Sequence, residues 1–483
     1  MKLKKLIADF SIEIYRGNLE IEITGLCAHS KLVAPGNLFI AKKGSTEDGA
    51  KYIEEAIASG AVAILTDMYN PFLQGVVQLL HPAPQALEAS LAARFYGQAS
   101  EELFTVGVTG TNGKTTTTFL IKHLYDQLGF PSGLIGTIEY IIGNHHFEAE
   151  RTTPDAITCQ KLFREMVKQG CTSAVMEVSS HGLAQGRCDQ IAFDAAIFTN
   201  LTQDHLDYHG TMEAYAQEKA KLFTHLQADK IAIVNGESLW KEHILEKCKA
   251  QLLTYGFSKE FDLYADEIHL NPCYSEFLVH YKGETARFRW EMIGRYNILN
   301  CLAAVASCLI RKVSLKNLPP LVQSFTSVPG RLEKVENLKN LNLYVDYAHT
   351  PDALEKVLHC LSEIKQGRII TVFGCGGDRD RGKRPKMGQV AEKGSDFTIV
   401  TSDNPRSEDP QKICAEVAAG FSSPSFTVIV NRQQAIEKAI EMATPKDLIL
   451  IAGKGHETYQ LFAHHTIPFD DRKIAQELAN RVH

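Results

Sequence analysis

The sequence predicts a three-domain α/β protein. The parts are a small N-terminal α/β domain, a central domain with a P-loop-type parallel sheet, and a C-terminal domain with a doubly wound, Rossmann-like sheet. A chain of 483 residues is too long for one core and is typical of about three domains. A glycine-rich turn joins a β-prone run to a helix near residue 110, and after residue 330 strands alternate with helices. We place the domains at 1–98, 99–329 and 330–483.

The composition is that of an ordinary globular protein, with 44% hydrophobic and 22% charged residues. A net charge of −6 argues against nucleic acid as a partner, since such binding needs a basic face. Eleven scattered cysteines without a CxxC pair are typical of a reducing compartment. No apolar run approaches the ~18 residues of a membrane span. We therefore expect a cytoplasmic monomer without a membrane anchor.

The first domain shows short alternating elements. A turn and strand are predicted over 33–41, a helix over 50–58 and a second strand over 60–65. Nothing here is catalytic by residue type, so the region alone predicts a binding or packing module. Ser30 is either an ordinary turn hydroxyl or a binding residue.

The central domain begins with a strand, a glycine-rich turn and a helix over 103–121. Gly110 and Gly113 let the backbone approach a ligand, and the N–H groups of the turn and helix form a phosphate cradle. Lys114 reaches terminal phosphates and the Thr115 hydroxyl is a Mg²⁺ ligand. Val108 replaces the first glycine of the strict G-x-x-x-x-G-K-[ST] pattern, which indicates a variant subclass. The alternative, a glycine-rich surface turn, does not explain the order of the parts.

Two further segments of this domain carry candidate metal ligands. Glu177 ends a strand predicted over 173–178, where a nucleotide-hydrolysing enzyme places its second Mg²⁺ determinant; the alternative is a salt bridge to a loop. The run 204–209 is rich in acids and histidines, among them His205. On the next helix, Lys219 shares a face with Tyr215 and Phe223, so it is either a snorkelling lysine or an unusual buried one.

These runs together resemble the Mur ligase family, the ATP-dependent amino-acid ligases of peptidoglycan precursor synthesis. The runs are Gly-Thr-Asn-Gly-Lys-Thr-Thr (110–116), Glu-Val-Ser-Ser-His (177–181), Thr-Asn-Leu (199–201) and Asp-His-Leu-Asp-Tyr-His-Gly (204–210). The resemblance spans the chain from Ser30 to Arg472. It implies ATP as co-substrate, Mg²⁺ as cofactor, and carbamylation of Lys219 to N6-carboxylysine.

The resemblance also implies roles for residues that spacing alone does not assign. The Mg²⁺ ligands would be Thr115, Glu177, His205 and the carbamate of Lys219, with Lys114 also catalytic. The ATP site would comprise Gly110, Thr111, Asn112, Gly113, Lys114, Thr115, Thr116, Asn297, Asn300, Arg331, Asp346 and His349. The UDP-muramoyl dipeptide would bind Ser30, Thr152, Thr153, Ser179, Gln185 and Arg187.

Asn297 and Asn300 lie at the start of a predicted helix, where asparagine is by default a capping residue. In the family the matching residues lie by the nucleotide base. A Phe or His often stands there at the position of Tyr296.

In the last domain, the runs 343–351 and 368–380 and the strands 397–401 and 448–452 alternate with helices, so ligands should bind at the carboxyl ends of the strands. Gly-Cys-Gly-Gly at 374–377 fails the G-x-G-x-x-G dinucleotide pattern. Asp-Asn-Pro-Arg at 403–406 matches the family members that add meso-diaminopimelate. Arg406 would clamp the distal carboxylate, with Asn404 adding a hydrogen bond; the alternative for Arg406 is a surface ion pair. The resemblance assigns the amino acid to Arg379, Asp403, Asn404, Pro405, Arg406, Gly453 and Glu457.

The sequence thus predicts ligation of meso-diaminopimelate to the D-Glu γ-carboxylate of UDP-MurNAc-L-Ala-D-Glu through an acyl phosphate. The C-terminal domain should rotate onto the central one to exclude water. Alternatives are the same ligation with lysine, glutamate addition to folate, an inactive ATP-binding regulator, and a nucleic-acid motor. The run at 403–406 argues against the first two, the candidate metal ligands against the third, and the acidic balance against the last.

Overall fold

The computed structural model describes residues 1–44 and 47–481. The first unit is a five-stranded sheet in the order β1-β5-β4-β3-β2, with β1 antiparallel to its neighbour. The helix expected over 50–58 is a 3₁₀ turn followed by a short α-helix. The elements are α1 (Leu3–Leu6), β1 (Glu13–Arg16), β2 (Gly25–Cys27), β3 (Asn37–Ile40), α2 (Ile53–Ala58), β4 (Ala63–Thr66), β5 (Val77–Leu80) and α3 (Pro84–Phe95).

The second unit is an eleven-stranded sheet in the order β16-β15-β14-β13-β12-β11-β6-β10-β7-β8-β9. Its centre, from β7 to β14 in that order, is parallel, while β8–β9 and β15–β16 add antiparallel edges. The sheet is therefore mixed, which sequence spacing did not reveal. Its strands are β6 (Phe104–Thr109), β7 (Ser132–Ile135), β8 (Glu139–Ile142), β9 (His145–Glu148), β10 (Ser173–Glu177), β11 (Ala195–Phe198), β12 (Ile231–Asn235), β13 (Gln251–Gly256), β14 (Leu263–Leu270), β15 (Ser275–Tyr281) and β16 (Glu284–Trp290).

Helices cover both faces of this central sheet, and the sheet lies between two apolar cores. One core lies under α4 and α10, the other under α5 and α8, as expected for strands buried on both faces. The helices are α4 (Lys114–Gln127), α5 (Ala156–Lys168), α6 (Ser180–Ala184), α7 (Leu206–His209), α8 (Met212–Thr224), α9 (Lys241–Leu245), α10 (Arg295–Leu309) and α11 (Pro319–Gln323).

The third unit is a six-stranded sheet in the order β17-β18-β22-β19-β20-β21, parallel except for β17. Helices pack on both faces over separate cores, so the predicted doubly wound sheet is confirmed. The strands are β17 (Glu333–Lys334), β18 (Asn342–Asp346), β19 (Ile369–Phe373), β20 (Phe397–Val400), β21 (Phe426–Val428) and β22 (Leu448–Ala452), with a ribbon of β23 (Tyr459–Leu461) and β24 (Thr466–Pro468). The helices are α12 (Pro351–Ile364), α13 (Lys383–Gly394), α14 (Pro410–Ala418), α15 (Arg432–Met442) and α16 (Asp471–Asn480).

Strand register places the candidate residues at two sheet edges. In the central sheet Val108 pairs with Glu177 and Thr109 with Phe198, so the loops after β6, β10 and β11 meet at one edge. In the third sheet β18, β22, β19 and β20 likewise end together. The domain bounds at 98/99 and 329/330 stay predictions. No described helix has the length and apolarity needed to cross a bilayer.

Candidate active site

The glycine-rich loop has the geometry that its sequence predicts. Strand β6 ends at Thr109 and α4 begins at Lys114. Gly110 and Gly113 have φ of 150° and 87°, and a Cβ on them would lie 1.9 Å from Thr199 Oγ1 and 2.3 Å from Asn300 Oδ1. No other residue fits at either position, because both the backbone conformation and the space require glycine.

The loop is braced by the segment that follows β11. Asn200 Oδ1 accepts from the Asn112 N–H at 3.1 Å, and Thr199 Oγ1 donates to the Asn112 carbonyl at 2.7 Å. Lys114 Nζ folds back onto the carbonyls of Gly110 and Thr111, each at 2.9 Å. The segment after β11 thus braces the loop from outside, while Lys114 closes onto the loop's own carbonyls.

A cavity of about 530 Å³ lies between the loop and the third unit. Its size suits a nucleotide-sized ligand. It brings together fifteen of the predicted site residues, from both units. They are Thr111, Asn112, Gly113, Lys114, Thr115, Thr116, Thr152, Glu177, Ser179, His205, Asn297, Asn300, Arg331, Asp346 and His349.

Glu177 is fully buried at the end of β10. Its carboxylate accepts from Thr137 N at 2.8 Å, Thr137 Oγ1 at 2.9 Å and Thr115 Oγ1 at 3.1 Å. The salt-bridge alternative is wrong, because among the described residues no basic group lies within ion-pair distance of this carboxylate. A buried carboxylate beside threonine hydroxyls is a donor set that suits Mg²⁺. Sequence analysis did not single out Thr137, although it follows β7, the strand beside β10.

Lys219 is 1% exposed, and the snorkelling alternative is therefore wrong. Its Nζ donates to the Gly110 carbonyl at 2.9 Å and lies 4.5 Å from the centre of the Tyr215 ring. Burial and the nearby charge of Lys114 hold the pKa of the Lys219 amine well below its ordinary value, although Asp204 opposes this. Burial therefore favours the uncharged, nucleophilic form of this amine.

His205 lies on the loop between β11 and α7, with φ of 53° and a side chain that is 46% exposed. Partial burial lowers the pKa of its imidazole, while Asp204, 3.6 Å away, opposes the shift. Within residues 1–44 and 47–481 no three His, Cys, Asp or Glu side chains converge as metal ligands do.

The two asparagines of α10 are not helix caps. Gly294, with φ of 95°, occupies the cap position, and both Asn side chains are buried in the first turns. Asn297 Nδ2 donates to the Ile293 carbonyl at 2.9 Å, and Asn300 Nδ2 donates to Asn297 Oδ1 at 3.1 Å. The pair lines the cavity beside Tyr296.

Arg331 connects the third unit to the phosphate loop. Its Nη2 donates to Thr115 Oγ1 at 3.2 Å, while its Nε is buried without a hydrogen-bond partner in the described chain. Asp346 lies beneath it and accepts from the N–H groups of Leu332 at 2.6 Å and Ala348 at 2.8 Å. The buried Nε–H of Arg331, which has no hydrogen-bond partner in the described chain, is suited to an anionic ligand beside the phosphate loop.

The residues predicted to bind the UDP-linked substrate form one connected group, except Ser30. Arg187 Nη1 donates to the Thr153 carbonyl at 2.8 Å, and its Nη2 donates to Gln185 Oε1 at 2.5 Å. Thr153 Oγ1 accepts from the Ser179 N–H at 3.0 Å. Ser30 is buried in a one-turn 3₁₀ helix of the first unit and does not line the cavity.

The residues predicted to bind diaminopimelate do not line the cavity and form a second group. Asn404 Nδ2 donates to Glu457 Oε2 at 2.8 Å, and Asp403 faces Gly453, where a Cβ would lie 2.6 Å from its Oδ2. Sequence analysis assigned no role to Lys454, which is fully buried and donates to Glu457 Oε2 at 3.0 Å and Asn404 Oδ1 at 3.1 Å. The signal in the sequence was a lysine three residues before Glu457, in the run Gly-Lys-Gly-His-Glu at 453–457.

Arg406 and the stem of Arg379 both lie near Gly376, whose Cβ position lies 2.8 Å from Arg406 Nη1 and 3.8 Å from Arg379 Cγ. Arg406 has φ of 53° and donates to the Gly377 carbonyl at 2.8 Å. Among the described residues it has no carboxylate partner, so the surface-ion-pair alternative is wrong. Pro405 is buried between these residues and Asn404.

The two groups lie off the same edge of the third sheet. Asp346 is the last residue of β18, while Asp403 follows β20, three strand spacings or about 14 Å away. A nucleotide-sized cavity at a phosphate-type loop, with a second polar group off the same sheet edge, is typical of enzymes that act at a nucleotide's terminal phosphate.

Family models match three consecutive parts of the chain. They are the Mur ligase family catalytic domain over residues 22–96, the Mur ligase middle domain over 108–308, and the Mur ligase glutamate ligase domain over 330–455. A relative from Chlamydia caviae is 45% identical over 482 residues, covering 99% of each chain. The chain therefore belongs to the Mur ligase family.

That relative is named UDP-N-acetylmuramoyl-L-alanyl-D-glutamate--2,6-diaminopimelate ligase, as is a Clostridium acetobutylicum relative with 41% identity and 100% coverage of both chains. A solved structure of an enzyme with the same name has a TM-score of 0.71 at 31% identity, covering 99% of this chain and 98% of that one. A Mycobacterium tuberculosis folylpolyglutamate synthase complexed with ADP, with a TM-score of 0.64 at 18% identity, covers 76% of this chain and 92% of that one, and shares the fold.

Proposed function

We propose that this chain is an ATP-dependent ligase that joins meso-diaminopimelate to the D-Glu γ-carboxyl group of UDP-MurNAc-L-Ala-D-Glu. The observation that carries the proposal is Arg406 near Gly376, which, like the neighbouring Arg379, has no carboxylate partner among the described residues. The relatives that span the whole chain carry the same activity in their names. The product would extend a peptidoglycan precursor.

ATP would lie in the 530 Å³ cavity. The N–H groups of 111–115 would hold its phosphates, and Lys114 would leave its two carbonyl partners to meet the β- and γ-phosphates. Arg331, with its unpartnered Nε, would bind phosphate from the opposite wall. Asn297, Asn300 and Tyr296 would border the base.

Mg²⁺ would be held by Thr115, Glu177, His205 and the carbamate of Lys219, and would neutralise charge on the phosphate oxygens. The neutral Lys219 amine is suited to carbamylation. Its lone pair adds to the carbon of CO₂, an N–C bond forms, and the nitrogen loses a proton to solvent. The resulting anion would compensate the charge of Lys114.

The chain's own groups then position two successive displacements. The substrate γ-carboxylate attacks the γ-phosphorus in line, the bond to the β-phosphate oxygen breaks, and ADP leaves. An uncharged amine of diaminopimelate attacks the acyl carbon, phosphate leaves, and the amine proton is lost. Thr152, Thr153, Ser179, Gln185 and Arg187 would hold the UDP-linked substrate, and Ser30 would contact its uridine end.

The amino acid would be selected by charge. The distal carboxylate of diaminopimelate would accept from Arg406 and Arg379, and Glu457 would accept from the ammonium group beside it. Lysine would place a cation against both arginines and leave them unpaired. Asp403, Pro405 and Gly453 would shape this pocket through the contacts described above.

An acyl phosphate hydrolyses readily, so the C-terminal domain, 330–483, would rotate onto the central domain, 99–329, to exclude water. The N-terminal domain, 1–98, would take the UDP end. We further propose that the enzyme acts as a cytoplasmic monomer.

The decisive experiment measures ATP-dependent phosphate release with UDP-MurNAc-L-Ala-D-Glu and compares meso-diaminopimelate with L-lysine. Turnover with diaminopimelate alone supports both the reaction and the pocket. Turnover with lysine would retain the reaction and refute the role of Arg406. Failure with both amino acids would refute the proposed function.

A further inference from the structure

Helix α12 lies across the boundary between the central and third units, and its first turn carries an unusual carboxylate. Asp352 Oδ2 accepts from Asn112 Nδ2 at 3.1 Å and Thr202 Oγ1 at 2.9 Å, both in the central unit. The same oxygen accepts from Lys356 Nζ, in its own helix, at 2.8 Å. One oxygen atom thus joins three segments that are far apart in sequence.

These contacts are directional and charged. A carboxylate in the first turn is favoured by the positive end of the helix. Lys356, one turn later, also donates to Thr202 Oγ1 at 2.9 Å, so the four side chains form a closed network. The carboxylate and the ammonium group are 26% and 36% exposed, so water competes for them.

The network joins the two segments that face the nucleotide cavity. Asn112 lies inside the phosphate loop, where Asn200 and Thr199 hold its backbone. Helix α12 begins two residues after His349, at the end of the segment that carries Asp346. The position of Asp352 therefore sets the distance between the phosphate loop and that segment.

The other contact of α12 with the central unit is apolar. Cys360 packs on Gly294, where a Cβ would lie 2.1 Å from its Sγ. Ile293 and Tyr296 of the central unit pack into the core of the third unit around it. Asp352 and Cys360 are about 12 Å apart along the helix. A tightly packed contact of this kind can act as a pivot, while the polar network must either form or break.

We propose that Asp352 is a positioning residue for phosphoryl transfer. With Asn112, Thr202 and Lys356 it forms a latch that holds the third unit against the phosphate loop while α12 pivots near Cys360. This inference rests on the proposed function and names the contact that completes the closed arrangement. Asp352 touches neither substrate in this account and acts through Asn112 and the helix that follows His349.

The latch is tested with Asp352→Ala and Asp352→Asn in the full chain. The alanine variant should lose about 10- to 100-fold in kcat, the effect expected when hydrogen bonds to a charged group are lost. The asparagine variant should lose less, because its amide oxygen still accepts from Thr202. Binding of ADP should stay within about threefold of wild type for both, since the cradle is intact.

Lys365→Met is the matched control, because Lys365 pairs with Asp396 at 2.8 Å just past the far end of the same helix and outside the site. It should leave kcat unchanged. An unchanged kcat in Asp352→Ala would overturn the proposal. A loss of kcat that is matched by an equal loss of ADP affinity, or by a large fall in melting temperature, would also overturn it, because the role would then be structural.

Small-angle scattering with Mg²⁺ and a non-hydrolysable ATP analogue provides a readout that does not require ligation. The wild type should become more compact with the analogue, and Asp352→Ala should not. Equal compaction of the two proteins would refute the latch. If no amino acid supports turnover the proposed function fails, yet this scattering comparison still decides whether the latch exists.

Discussion

Two fully buried lysines lie in the two halves of the candidate site, and their surroundings differ. Lys219 has a backbone carbonyl and a tyrosine ring as neighbours, and no carboxylate within ion-pair distance in the described chain. Lys454 donates to the Glu457 carboxylate at 3.0 Å and to the Asn404 amide oxygen at 3.1 Å. The first is a buried amine without a counter-charge, and the second is one member of an ion pair.

The difference indicates two uses of a buried lysine. Burial without a partner favours the neutral amine, which is reactive toward CO₂. A buried lysine that donates to a carboxylate and an amide oxygen instead orients those two groups, here Glu457 and Asn404. The same residue type thus supports a modification in one region and organises a binding pocket in the other.

The largest effect is expected at Lys219. We expect Lys219→Ala to abolish ligation, because the carbamate that would complete the metal site cannot form. A short-chain carboxylic acid should restore part of the activity by entering the vacated space, and should not stimulate the wild type. Full activity of Lys219→Ala in phosphate-release assays would refute the carbamate and remove the distinction between the two lysines.

Lys454→Met should act on stability and on the amino-acid pocket together. Removing one member of a buried ion pair costs about 3 kcal/mol, because Glu457 keeps a partly desolvated charge. Denaturant unfolding should show this loss, and KM for diaminopimelate should rise while KM for ATP stays unchanged. If KM for both substrates is unaltered, Lys454 does not organise the pocket.

Arg406→Lys tests whether the pocket beside Lys454 recognises a carboxylate through a two-pronged contact. We expect kcat/KM for diaminopimelate to fall by an amount equivalent to about 2–3 kcal/mol of transition-state stabilisation, since lysine cannot donate two parallel hydrogen bonds. Lys365→Met, outside the site, is the control for a general loss of activity. An unchanged kcat/KM would exclude Arg406 from the specificity pocket.

The smallest effect is the pH dependence of the free energy of unfolding that Lys219, which has no carboxylate partner in the described chain, should produce. Because the native pKa of Lys219 is depressed, the unfolded chain binds a proton that the native protein does not. Stability should therefore rise with pH between the depressed pKa and about 10.4, with a contribution of up to about 1.4 kcal/mol per pH unit. Unfolding in CO₂-free buffer should show this contribution in the wild type and not in Lys219→Met.

Bicarbonate sharpens the same comparison. If carbamylation occurs, adding bicarbonate near neutral pH should stabilise the wild type by mass action and should leave Lys219→Met unaffected. Lys454→Met should respond like the wild type. A response of equal size in the wild type and Lys219→Met would indicate a general salt effect.

Much of the fold was predictable because its signals are local. The strand, glycine turn and helix around Gly110 require only neighbouring residues, and the alternation of strands and helices after residue 330 fixes a doubly wound sheet. The antiparallel edges of the central sheet were not predicted, because the sequence pattern of strands such as β15 and β16 does not show whether they pair parallel or antiparallel. The helix over 50–58 is shorter than its apolar pattern indicates, since its first turn is 3₁₀.

The amino-acid sequence by itself determined the phosphate loop, the strand ends that carry Glu177 and Asp403, and the residue types for each candidate role. These follow from spacing within a few residues, where backbone geometry leaves few choices. Only the tertiary structure decided that Lys219 has no carboxylate partner among the described residues, that Thr137 holds Glu177, and that Asp352 meets Asn112, 240 residues away. Such contacts depend on how the three units pack. Packing brings together residues that are far apart in the sequence, and no local sequence pattern marks them as neighbours.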